Sequence, residues 1–184
     1  MFKAVFSEMF LTGARAETRR DHIRNVLVAY AAIWLWAAFA IPLIILLYGE
    51  SAGAVLPPVS PVLSVSFGLL QDRGIGLGIG QMLVVLAAAL TFAPMFEEVL
   101  FRVLPMTLVK GRSPEVVLAV QLAVCGVAFG WAHGSIINVA LQGFIGFVLA
   151  RLYVANLSSM LNAWISCAAV HAAYNLHVML LLGR

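Results

Sequence analysis

Residues 91–102 read Thr-Phe-Ala-Pro-Met-Phe-Glu-Glu-Val-Leu-Phe-Arg. Two adjacent carboxylates, Glu97 and Glu98, and the cation Arg102 stand inside a long apolar run. Residues 81–90 before them and 103–109 after them carry no charge. An ionised group at mid-bilayer costs on the order of 2.5–3.5 kcal/mol even on insertion scales, so such a cluster in a span marks a functional site by default. The stretch therefore predicts a helix at membrane depth, with other helices supplying partners to its polar face.

The rest of the chain agrees. Its 184 residues are 63% hydrophobic and 10% charged, and the mean hydropathy is +1.02. Ordinary soluble domains are about 45–50% apolar and about 25% charged. Too little polar surface exists to cover a water-soluble domain, so the chain reads as an integral membrane protein. The net charge of +3 does not point to nucleic acid, because the basic residues stand at the ends of apolar runs, as the positive-inside rule places them. Cys125 and Cys167 fall mid-span and read as small packing residues.

Residues 1–25 are polar and basic, with Lys3, Arg15, Arg19, Arg20 and Arg24. Apolar residues at helical spacing over 1–11 predict an interfacial amphipathic helix. Residues 26–48 form the first long run and read as a retained span; Trp34, Trp36 and Tyr48 suit its interfaces, and Pro42 suits a kink. Residues 50–80 hold Pro57, Pro58 and Pro61, then glycines alternating with Ile75, Leu77 and Ile79. They predict a loop with a short interfacial or re-entrant piece. Residues 80–110 are too long for one straight span at ~1.5 Å per residue, so Pro94 or Pro105 is expected to break or bend them. Ser113-Pro114-Glu115 opens a third helix, Gly134-Ser135 a tight turn, 136–155 a fourth span ending near Arg151 and Tyr153, and 160–182 a fifth. The expectation is an all-α polytopic bundle of about five spans, with residues 1–79 as an N-terminal part and 80–184 as the core. Basic loops at 1–25, at Lys110 and Arg112, and at Arg151 fall on one side with five spans and favour a cytoplasmic N-terminus.

Three polar pairs spaced four apart lie on these helices: Glu98 with Arg102, Phe129 with His133, and His171 with Asn175. That spacing puts each pair on one helix face. Counted from the basic side, Glu97 and His171 are both ~20 Å deep, so the faces can meet in one layer. His177 lies on another face and reads as packing. Two adjacent carboxylates in low dielectric resist joint ionisation, and Arg102 holds one charged, leaving the other to exchange a proton. Peptide hydrolysis needs such a base for water and donors for an oxyanion. Cys167, four before His171, is a less favoured nucleophile.

Glu-Glu-x-x-x-Arg at 97–102, Phe-x-x-x-His at 129–133 and His-x-x-x-Asn at 171–175, in this order on successive apolar helices, resemble the CPBP family of intramembrane proteases. This group includes the CAAX proteases, bacteriocin-processing enzymes and Rce1-type prenyl-protein endopeptidases. The resemblance covers about residues 80–182. It implies a glutamate-dependent endopeptidase: Glu97 as general base, His133 helping to hold the water, His171 and Asn175 donating to the oxyanion. Glu98 and Arg102 would support and tune Glu97, and Phe129 would pack beside the site.

Family members are often labelled metalloproteases, so zinc on Glu97, His133 and His171 is the mechanistic alternative, and a metal-free site is favoured. A non-enzymatic immunity or scaffold protein and a small proton-relay transporter are the other classes the cluster allows. The expected partners are the bilayer and a membrane-anchored protein or peptide substrate. The expected location is a bacterial inner membrane.

Overall fold

A computed structural model of the chain describes residues 18–49 and 79–182. These described residues form five helices and no strand: α1 at Arg19–Tyr48, α2 over 79–108, α3 at Pro114–Ala132, α4 at Ile136–Ala155 and α5 at Met160–Leu182. α1, α3 and α4 are long and apolar enough to cross a membrane. The protein is an all-α membrane helix bundle. The interfacial helix expected over 1–11 and the re-entrant piece expected over 50–78 lie outside the described residues.

α1 begins seven residues before the apolar run that announces it. Thr18 accepts a bond from the Asp21 amide at 3.2 Å, and Asp21 accepts one from the Thr18 amide at 3.1 Å. This capping box satisfies two orphan donors and starts the helix in polar sequence. Pro42 remains inside the helix. Trp36 and Trp34 both hydrogen-bond within the bundle. The Trp36 indole donates to the Leu141 carbonyl at 3.3 Å and ties α1 to α4. The Trp34 indole donates to the Tyr30 hydroxyl at 2.8 Å, and that hydroxyl bonds His177 Nδ1 at 2.7 Å. His177 thus has the packing role its helix face indicates.

α4 is the central helix. Of its most apolar stretch 67% is buried, against 28% for α1 and for α3, and it packs on α3, α1 and α5. Glycine lets α3 approach it at backbone distance, as small residues do between membrane helices. A Cβ on Gly130 would lie 2.6 Å from the Val139 Cα. One on Gly146 would strike the Cys125 carbonyl and stand 2.8 Å from the Phe129 ring and 3.1 Å from Arg102 Nη2. Backbone cannot swing away as a side chain can. Gly146→Ala is expected to cost at least about 1–3 kcal/mol of overpacking, read as a lower melting temperature in detergent. Unchanged melting would contradict this contact.

Of the break or bend expected at Pro94 or Pro105, there is no break: α2 runs on through both prolines. The helix instead widens into a π-helical turn before each, at Ala88–Phe92 and Val99–Val103. There the Ala93 amide bonds the Ala88 carbonyl, and the Leu104 amide the Val99 carbonyl. In each case the next donor in this register would be the proline, which has no N–H. The wide turn absorbs the misfit without a break. A third π turn, Gln121–Ala128, lies directly before Phe129. Such turns concentrate at functional sites, and these three adjoin Glu97, Arg102 and Phe129.

Arg151, expected in the basic loop region, is buried. A full turn before the end of α4, its Nη1 donates to Gln121 Oε1 of α3 at 3.1 Å. Ser113 occupies the cap position of α3 but makes no side-chain capping bond. Gly134, with φ 95°, forms the expected tight turn, and Ser135 caps α4 by accepting from the Asn138 amide at 3.3 Å.

Candidate active site

All seven residues singled out in the sequence are at most 4% exposed: Glu97, Glu98 and Arg102 on α2, Phe129 and His133 at the end of α3, and His171 and Asn175 on α5. Polar groups this deep among apolar helices need partners, and the structure supplies them.

Glu98 is the junction. Its Oε1 forms an ion pair with Arg102 Nη1 at 3.1 Å and accepts a hydrogen bond from His171 Nδ1 at 2.8 Å. The carboxylate oxygen facing Nδ1 accepts, so Nδ1 carries the proton and the ring orientation is fixed. The other nitrogen, Nε2, stands 3.8 Å from Glu97 Oε2. The adjacent carboxylates thus have different surroundings. Glu98 is locked between two cationic or donor groups, while Glu97 faces the open nitrogen of the same imidazole.

Phe129 joins the three helices. The Arg102 guanidinium carbon lies 4.1 Å from its ring centroid, a cation–π contact. The His133, Phe101 and His171 rings meet it edge-on with centroids at 4.7, 5.2 and 5.9 Å. Its carbonyl accepts from His133 Nδ1 at 2.8 Å. His133 therefore keeps Nε2 as an acceptor, and its ring interacts electrostatically with Glu97, His171 and Arg102.

Asn175 sits one turn beyond His171. Its Nδ2 donates to the Ala89 carbonyl at 3.1 Å, about two turns before Glu97 on α2. Pro94 explains this bond: in the π register the Ala89 carbonyl would take the amide of residue 94, which proline lacks. The Asn175 amide fills the vacancy and keeps its second N–H. Glu97, Glu98, Arg102, Phe129, His133 and His171 form one connected cluster. Asn175 adjoins it along α5.

Several supporting residues had little signal in the sequence. Asn138 donates from Nδ2 to the His133 carbonyl at 2.7 Å and pins the turn that carries the imidazole. It stands three residues after a capping serine and so reads as ordinary helix start. The Trp164 indole donates to the Met95 carbonyl at 3.1 Å, tying α5 to α2 just before Glu97. Cys167 is fully buried, with its thiol on the Leu149 carbonyl at 3.2 Å.

Among the described residues, no three His, Cys, Asp or Glu side chains are grouped as a metal ion would need. Glu97, His133 and His171 do not make such a set, and both Nδ1 atoms already donate within the protein.

The fold and site define a polytopic membrane protein with a buried acid–imidazole centre shared by α2, α3 and α5. The family model for type II CAAX prenyl endopeptidase, Rce1-like, matches residues 79–177, more than half of the chain. The chain belongs to this Rce1-like family of membrane endopeptidases. The matched segment contains all seven site residues and leaves α1 outside. No curated protein and no solved structure matches the chain.

Proposed function

We propose that the protein is an intramembrane endopeptidase that hydrolyses a peptide bond in a membrane-tethered or lipidated protein, with Glu97 as general base. The observation that carries this reading is the bridge His171 makes, Nδ1 on Glu98 and Nε2 toward Glu97. Water positioned by His133 Nε2 gives its proton to Glu97 as its oxygen attacks the scissile carbonyl. The oxyanion takes hydrogen bonds from His171 Nε2–H and from the second N–H of Asn175. Both imidazole nitrogens of His171 donate in this step, Nδ1 to Glu98 and Nε2 to the oxyanion. Glu97 then returns the proton to the leaving nitrogen, and the C–N bond breaks. Glu98, Arg102 and Phe129 hold the imidazole and the helix in place.

The substrate is a protein or peptide held in the bilayer, a prenylated C-terminal tail being the class the family name supports. The basic loop at Lys110 and Arg112 supports a cytoplasmic N-terminus, and a bacterial cell membrane is the proposed location.

The test is quantitative mass spectrometry of membrane proteins from cells carrying wild-type or Glu97→Gln protein. One intact precursor should accumulate with the variant; identical proteomes would defeat the protease reading and favour a scaffold. Asn175→Ala is expected to lower kcat about 10²- to 10³-fold, the worth of one oxyanion donor. A loss confined to KM would reassign the residue to binding. Purified enzyme should keep its activity in EDTA. Loss restored by zinc would replace this mechanism with a metal-assisted one.

A further inference from the structure

We propose that the basic end of the bundle is a binding site for an anionic phospholipid, with the phosphate on Lys110 and Arg112 and an acyl chain in the cavity beneath them. A cavity of about 510 Å³ lies between the end of α2, the start of α3 and the α4–α5 connection. Met106, Val117, Tyr153 and Leu157 line its wall, and Lys110 and Arg112 stand on its rim. Gly111 sets that rim. Its φ of 79° turns the chain, and the Arg112 amide closes the turn on the Val109 carbonyl at 3.0 Å. A side chain at 111 would be strained in this conformation.

The rim cations are exposed, and among the described residues no carboxylate lies within 4.0 Å of either. Two of the neighbouring hydroxyls are engaged. Thr107 donates to the Val103 carbonyl at 2.7 Å, and Ser158 bonds His22 at 3.0 Å. Among the described residues, the positive charge at the mouth is therefore unanswered. Met106, Val109, Val117, Val154, Leu157 and Met160 make most of the wall apolar, and ordered water needs two to four polar partners. An empty apolar hole would forfeit dispersion contact. A hydrocarbon chain fills such a space, and a phosphate at its head meets both cations. Helix ends surround the cavity, which places it at headgroup depth, where basic pockets between helices attract anionic lipid. Lys110 is about 20 Å along α2 from Glu97, so the site is separate from the candidate centre and does not depend on its chemistry.

The experiment is native mass spectrometry of the full-length protein released from detergent, with phosphatidylglycerol or phosphatidylcholine of matched chains. Wild-type protein should retain one phosphatidylglycerol under activation that strips phosphatidylcholine. Lys110→Gln/Arg112→Gln should weaken that retention about 10-fold or more, from two lost charge contacts. Leu157→Trp, which fills the cavity and keeps the charges, should displace the lipid as well. The charge variant alters only exposed side chains that have no carboxylate partner among the described residues and should melt like wild type, so it decides the matter even if the tryptophan variant misfolds. Equal retention of both lipids by wild type, or undiminished phosphatidylglycerol on the charge variant, would overturn the proposal. So would displacement by sn-glycerol 3-phosphate alone at equal concentration, which would reduce the site to a simple anion pocket.

Discussion

Arg102→Met will destabilise the bundle by about 3–5 kcal/mol, because it takes the cation away from the Glu98 carboxylate in a site with no exposure and leaves the His171 hydrogen bond as its remaining support among the described residues. The double variant Glu98→Gln/Arg102→Met should recover most of that loss, since breaking a buried pair costs far more than replacing it. Thermal unfolding of the two single variants and the double variant in one detergent checks this. A double variant as unstable as Arg102→Met would mean that the guanidinium acts chiefly through its stacking on Phe129, 4.1 Å away, and not through its charge.

Glu97→Gln will leave the melting temperature close to wild type and reduce turnover by about 10³-fold or more, at the upper end of what one general base contributes. The amide nearly matches the carboxylate in shape but cannot accept a proton from water. The contrast between the adjacent carboxylates is the decisive measurement. Glu98→Gln should lower stability together with activity, since Glu98 holds both Arg102 and His171. If Glu98→Gln keeps its fold and abolishes turnover while Glu97→Gln remains active, the two roles are exchanged. Variants of both residues that melt lower and turn over normally would make the cluster structural only.

Much of this arrangement was legible because charge is so costly in hydrocarbon. Glu97, Glu98 and Arg102 stand out against their apolar neighbours, and spacing of four put each pair on one face. The convergence of α2, α3 and α5 then followed from the need of each group for a partner. What stayed hidden has physical causes too. A period of 3.6 residues does not register turns that hold an extra residue, so nothing in the pattern marks Ala88–Phe92, Val99–Val103 or Gln121–Ala128. Hydropathy located the apolar part of α1 but not its polar first turns, which Thr18 and Asp21 build locally. Arg151 read as a loop cation, because nothing local reveals that Gln121 lies opposite it on another helix. The tie from Asn138 to the His133 carbonyl connects a turn to the helix after it, and no periodicity encodes that.

The bond from Asn175 to the Ala89 carbonyl makes two distant codons answerable to each other. An imino acid at 94 leaves a gap in its own helix that only a donor from elsewhere closes, and the amide that closes it is thereby aimed. Were residue 94 to regain an N–H, α2 would seal its own ladder and the amide at 175 would lose its tether. Lineages that keep the carboxamide at the one position should therefore keep the ring at the other, and those that drop one should drop both.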